Sequence, residues 1–120
     1  MKKAIILFFF FFAFVTSIHA QKIDKYCEVV CYLKALAVER CNPHIQLGEA
    51  DSLFSFKDPS VVESLKKVNK FNTRTDVLNY MSRQGWTLVS TNTLGSNALG
   101  TNTHYFIFKK SFDPGELNVP

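Results

Sequence analysis

"FNTRTDVLNYMSRQGWTLVST", Phe71 to Thr91, holds a helix, its stop and the strand that follows. Asn72 or Thr73 can accept from the orphan amides of a helix start, and Asp76 in the first turn suits the positive end of the dipole. Val77, Leu78 and Met81 recur at helical spacing and form one apolar stripe. Gly85 supplies the left-handed residue that ends the helix, and Trp86 opens a strand, "WTLVST".

Working outward, "YCEVVCYL" (Tyr26 to Leu33) is rich in β-branched and aromatic residues and reads as a strand. Alternation puts Cys27, Val29, Cys31 and Leu33 on one face and Tyr26, Glu28, Val30 and Tyr32 on the other. "VERCNPHIQL" (Val38 to Leu47) reads as a second strand. Pro43 cannot donate to a ladder, so this strand is expected at an edge or bulged. The "KALA" between the two leaves a helix over Leu33 to Arg40 as an alternative. Gly48 to Pro59 reads as a connection with Leu53, Phe54 and Phe56 tucked inward, and Ser60 to Lys70 as one short helix. The last strand is "HYFIFKKSF", with Tyr105 and Ile107 facing one way and Phe106, Phe108 and Phe112 the other. The expected fold is α+β: an antiparallel sheet of about four strands, β-β-α-β-β along the chain, with helix packed on one face.

Compartment follows from the first residues. Lys2 and Lys3 precede an apolar run, Ala4 to Val15, and then a short polar stretch ending in Ala20. That order is a secretory signal peptide, expected to be cut between Ala20 and Gln21. The run is shorter than the ~20 residues of a membrane span, so no stable span is expected after cleavage. Loss of the two lysines lowers the net charge from +4 to +2. Residues 21–112 are then expected to form one domain, with a loose tail over 113–120 that carries two prolines and a glycine. The expected location is periplasmic or extracellular. Lys66, Lys67, Lys70 and Arg74 cluster, but the aromatic interleaving of a nucleic-acid surface is missing, so no nucleic-acid partner is expected.

The stretch from Phe71 to Lys110 resembles a family of small bacterial proteins called domain of unknown function 4177, and more closely its secreted relatives. The likeness rests on Leu78-Asn79-Tyr80-Met81, Gly85-Trp86 and the aromatic run His104 to Lys110, and it departs at Thr87, where the family usually has glutamate. The resemblance implies a helix ending in Gly-Trp, a strand, and a final aromatic strand ending in lysines. It implies no activity.

Cysteine and histidine are the strongest candidates for chemistry. Cys27, Cys31, Cys41 and His44 number four possible zinc ligands, which must converge at about 2.0–2.3 Å from the metal. On one strand, Cys27 and Cys31 stand ~13 Å apart at ~3.3 Å per residue, which disfavours a shared ion. A disulfide suits an oxidising compartment better. A hairpin centred near Leu36 sets Cys31 opposite Cys41, so that pair is the expected bridge. Cys27 is then left as a buried small hydrophobe, an intermolecular bridge or a reactive thiol.

A Cys27–His104 nucleophilic pair lacks an orienting third group and an oxyanion loop. Tyr80 and Trp86 suit a core as well as a ligand pocket. No phosphate loop, dinucleotide fingerprint or metal-protease motif is present, so no cofactor and no catalysis are expected.

Two surfaces remain. "TNTLGSNALGTNT" (Thr91 to Thr103) is charge-free and longer than a tight hairpin needs. It reads as a long connector, with Asn92, Leu94, Ser96, Asn97, Leu99 and Asn102 as candidate binding residues. The last strand is apolar on both faces. Phe106, Phe108 and Phe112 are therefore expected on the face away from the helix, covered by a second subunit. The functional expectation is a small exported, non-catalytic interaction module. It would be homo-oligomeric, with an unknown protein or small-molecule ligand. A metal-binding or thiol-active protein is the alternative.

Overall fold

The computed structural model describes residues 21–33, 40–48, 55–95 and 102–119. Four strands form one antiparallel sheet: β1 (Ile23–Leu33), β2 (Cys41–Gln46), β3 (Thr87–Leu94) and β4 (Thr103–Phe112), in the spatial order β2-β1-β4-β3. Two helices precede β3, namely α1 (Pro59–Lys66), which tightens into a 3-10 turn over Lys67–Lys70, and α2 (Arg74–Arg83). The expected α+β sheet with helix on one face is what the chain adopts, and the short helix read over Ser60 to Lys70 is there as α1 and its 3-10 turn. None of the described helices is long and apolar enough to cross a membrane.

Local chemistry sets both ends of α2. Thr73 is the N-cap: its Oγ1 accepts from the Asp76 amide at 3.1 Å, and it donates to the Asp76 carboxylate at 2.7 Å. At the other end Gly85 takes φ 84°. The Gly85 amide bonds the Ser82 carbonyl and the Trp86 amide bonds the Met81 carbonyl. These are the paired bonds of a Schellman stop. Trp86 and Met81 are both buried in one core, the apolar contact that accompanies this stop. Gly-Trp thus ends the helix and aims the chain into β3. Helix α1 starts on Asp58, whose side chain accepts from the Ser60 amide at 2.9 Å, with Pro59 in the first turn.

The core lies between the helices and one face of the sheet. Cys27, Val29, Cys31 and Leu33 of β1 meet Phe106, Phe108 and Phe112 of β4, and across from them Leu65, Val68, Val77, Met81 and Trp86. Each such aliphatic or aromatic side chain adds about 1.5–3 kcal/mol on full burial. This corrects the expected interface. Phe106, Phe108 and Phe112 are 6%, 1% and 5% exposed within the single chain and face the helices. The alternation along β4 was legible, but the bulkier set goes to the face with more volume to fill. Tyr105 and Ile107 take the open face instead and are half-buried.

The tail is packed, not loose. Leu117 is completely buried and bridges to Phe56. Asp113 and Glu116 close a capping box around the 3-10 turn Pro114–Glu116. The Lys57 and Asn118 amides bond the Glu116 and Ser55 carbonyls. Phe56 then stacks edge-on against Phe112 at 5.2 Å. Leu53, Phe54 and the Leu33–Arg40 alternative fall largely outside the described residues.

Candidate functional site

The three cysteines all point into the core, and all are free thiols. Cys41 Sγ donates to Cys31 Sγ across 3.2 Å, a thiol contact well beyond the ~2.05 Å of a disulfide. The expected Cys31–Cys41 bridge is therefore not formed. The register differs too: Cys31 lies opposite Pro43, and Leu33 opposite Cys41. The two sulfurs meet as diagonal neighbours on one face. Burial pushes the Cys27 thiol up to about 12 and raises Cys31 and Cys41 as well.

The four-ligand zinc alternative fails on geometry. Asn42, His44 and Gln46 alternate with the buried Cys41 and Pro43, so His44 projects from the open face. There it meets Tyr32 edge-on at 5.8 Å, on the opposite side from the sulfurs. Among the described residues no group of three or more Cys, His, Asp or Glu side chains converges. The Cys27–His104 pair is likewise not assembled. Cys27 lies opposite Phe108, while His104 lies opposite Cys31, stacks on Phe106 and has its Nδ1 3.0 Å from Thr93 Oγ1.

Tyr80 and Trp86 are structural. Tyr80 donates to the Ser64 carbonyl at 2.7 Å and clamps α1 to α2, and Trp86 lies in the core against Phe112. A cavity of about 730 Å³ opens at the start of α2, lined by Arg40, Cys41, Asn42, Asn72, Thr73 and Asp76. Thr73 and Asp76 are spent on the helix cap, and the Asn72 carbonyl on the Cys41 amide at 2.8 Å.

The exposed apolar residues lie elsewhere. Tyr26, Tyr32, Leu88, Val89, Leu94 and Val119 are the large hydrophobic residues that solvent reaches among those described. Tyr26 and Tyr32 stand on the open face of β1, flanking Val30, which is 2% exposed between its register partners His44 and Tyr105. Leu88, Val89 and Leu94 all belong to β3, whose eight residues are exposed throughout. This strand includes part of the segment expected to be a loop. Asn92 pairs with Tyr105 and Leu94 with Thr103, so the connector shrinks to residues 95–102. Asn102 accepts from the Leu33 amide at 2.9 Å. Ser96, Asn97 and Leu99 lie outside the described residues.

The two edges of the sheet are unlike. Along β2, alternation turns the amides of 41, 43 and 45 outward. Cys41 bonds the Asn72 carbonyl, Pro43 has no amide hydrogen, and Ile45 bonds Asn69 Oδ1 at 2.8 Å. No outward amide of that edge is left free to donate. The outer edge of β3 has no strand beside it in the sheet. No Asp, Glu, Lys or Arg occurs between Gln84 and Lys109. A register shift between Leu88 and Ser90 is its one irregularity. The strand was read from sequence as ending at Thr91. The signal that could have extended it was the Thr-rich, charge-free run itself, which suits a pleated surface as well as a loop.

Comparison of the chain with family models, with curated proteins and with solved structures finds no match.

Proposed function

We propose that this chain is a small exported interaction module that works by contact, through the open sheet face and the β3 edge, without catalysis. The observation that carries the reading is the placement of exposed apolar surface. Tyr26 and Tyr32 on the open face, with Leu88, Val89 and Leu94 on β3, account for all but Val119 of the large exposed hydrophobic residues described. Aromatic rings with a polar tip are the side chains best suited to a surface that is wet alone and covered in a complex. An open strand edge adds backbone donors and acceptors for a second chain.

Thiol chemistry is disfavoured by the raised pKa values of the three buried cysteines, because the thiolate is the reactive species. Export is proposed from the charged, apolar and small-residue order of residues 1–20. The likeness to the secreted relatives of domain of unknown function 4177 agrees with this reading and brings no activity with it.

The test is site-specific photo-crosslinking in the producing cell. A photoreactive residue at Tyr32 or Leu94 is expected to give discrete adducts, while the same group at Ser60 on the helical side gives none. Equal labelling from all three positions, or none from Tyr32 and Leu94, removes the reading.

A further inference from the structure

We infer that Gln21, once it becomes the amino terminus of the exported chain, closes on itself to a pyroglutamyl residue, a neutral five-membered lactam. The inference rests on the proposed export and adds a covalent modification to it.

The chemistry follows from the cut. Cleavage after Ala20 leaves glutamine in first position, followed by Lys22 and Ile23. A terminal glutamine carries an amine and an amide that can meet in a five-membered ring. The α-amino nitrogen attacks Cδ of its own side chain, and a new N–C bond forms. The Cδ–Nε2 bond then breaks, and ammonia leaves with the proton that the amine gives up. No oxidant, reductant or cofactor is consumed. An α-amino group titrates at about 7.7–8.0, so at neutral pH part of it is unprotonated and nucleophilic. Both reacting groups sit on one residue, and the entropy cost of bringing in a second reactant is absent. In Gln46 and Gln84 the nitrogen is tied up in a peptide bond, so the same closure is not open to them.

The fold leaves Gln21 able to close. It is exposed and lies before β1, whose register with β4 begins two residues later with Ile23 opposite Phe112. The fold also gives the lactam a task. The register between β1 and β2 begins at Glu28, whereas that between β1 and β4 begins at Ile23. The entry of β1 is thus held by a strand on one side. Only Gln21 and Lys22 separate the terminus from Ile23, which packs against the core. Asp24 follows, bonded to Ser111 and 3.5 Å from Lys109. An aminopeptidase needs a free α-amine, and a few cuts would take Ile23 and then Asp24 from these contacts. The lactam offers no such amine. It also removes one positive charge beside Lys22.

The test uses the full chain, exported with its own leader. Edman sequencing of the mature protein is expected to give no residue in the first cycle. The intact mass is expected to lie one ammonia below that of the linear chain beginning at Gln21. Pyroglutamyl aminopeptidase is expected to open the terminus, with Lys22 then appearing first. Gln21→Ser, which has no side-chain amide, is expected to give serine in the first cycle and to lose residues to an aminopeptidase that spares the parent.

A mature chain that yields glutamine in the first cycle overturns the inference and leaves the export reading standing. So does a blocked terminus of any other mass. A mature chain that starts at another residue overturns both the lactam and the cut after Ala20, but not export. A chain recovered only with residues 1–20 attached sinks the lactam and the export reading together.

Discussion

Lys110, near the end of β4, donates its ammonium to the carbonyl of Gln84, the C-cap of α2, at 2.8 Å. A strand residue thus completes the stop of a helix that lies before it in the chain. A cation at this end opposes the negative pole of the helix dipole. The same ammonium lies 5.3 Å from the centre of the Phe112 ring. Lys109 points to the other face, 3.5 Å from Asp24 and partly in solvent. The two adjacent lysines therefore do different work. Lys110→Met is expected to lower unfolding free energy by about 1 kcal/mol, and Lys109→Met by less than about 0.5 kcal/mol. Urea denaturation of the two variants side by side checks the difference.

Gly85 is tied to the same contact. An added Cβ would sit 3.4 Å from Lys110 Cε and Nζ, a fit the flexible lysine can absorb. The backbone is the obstacle, since φ is 84°. Gly85→Ala is expected to cost about 1–2 kcal/mol, and Gly85→Asn less, because asparagine tolerates this region better. Equal losses for the two, read by thermal unfolding, would point to sterics and away from the backbone.

Leu117 tests the tail. Its side chain is fully buried, and its neighbours bond the chain on either side of Phe56. Leu117→Ala is expected to destabilise the fold by about 2–5 kcal/mol. Val119→Ala, at an exposed position, should stay within about 0.5 kcal/mol. A Leu117 variant as stable as the parent would return the tail to the status of an appendage.

The thiols make a chemical prediction. Cys27, Cys31 and Cys41 are buried and their pKa values raised, so an aromatic disulfide reagent should find almost no reactive thiol in the native protein at neutral pH. In denaturant it should titrate all three. A count of one in denaturant, restored to three by reductant, would show that Cys31 and Cys41 had become bonded.

His104 makes a prediction about pH. Desolvation, and after it the charge of Arg74, lower its pKa from the ordinary 6.5. The folded state then binds fewer protons than the unfolded one as pH falls below about 6.5. Stability is full above that value and declines as pH passes down through the lowered folded pKa. His104→Gln, which keeps a hydrogen-bonding group near Thr93, should flatten the stability profile just below about pH 6.5. Denaturation midpoints at several pH values decide it, and a wild-type profile already flat there refutes the assignment.

What could be read from sequence was what is fixed locally. Thr73 and Gly85 mark the ends of α2 because their caps depend on residues three or four positions away. Pro43 placed β2 at an edge because a missing amide hydrogen is a property of one residue. The hairpin register slipped by two because it depends on the chain path through residues 34–39, and no residue there dictates a turn. Which face of β4 meets the helices was not legible, since both sets of side chains are apolar and the choice is made by distant elements. Leu117 was a single apolar residue among turn formers, too little to announce a buried anchor. The β3 edge was hidden for a similar reason. Thr, Ser and Asn serve loops and open strands alike, and only the pairing with β4 separates the two.

The sealed border of β2 decides how far edge pairing can propagate. A sheet with two free borders can add copies without end, and the product is a fibril. Here Pro43, Asn69 and Asn72 leave the outward face of β2 no amide to donate to an incoming strand. A strand that arrives at the β2 border finds carbonyls alone, half of the bonds a ladder needs. Removing the Asn69 contact, as in Asn69→Ala, would unblock the amide of Ile45 and begin to reopen a border. A prolonged concentration series on that variant beside the parent, watched for heavier species, would measure how far one side chain guards the border.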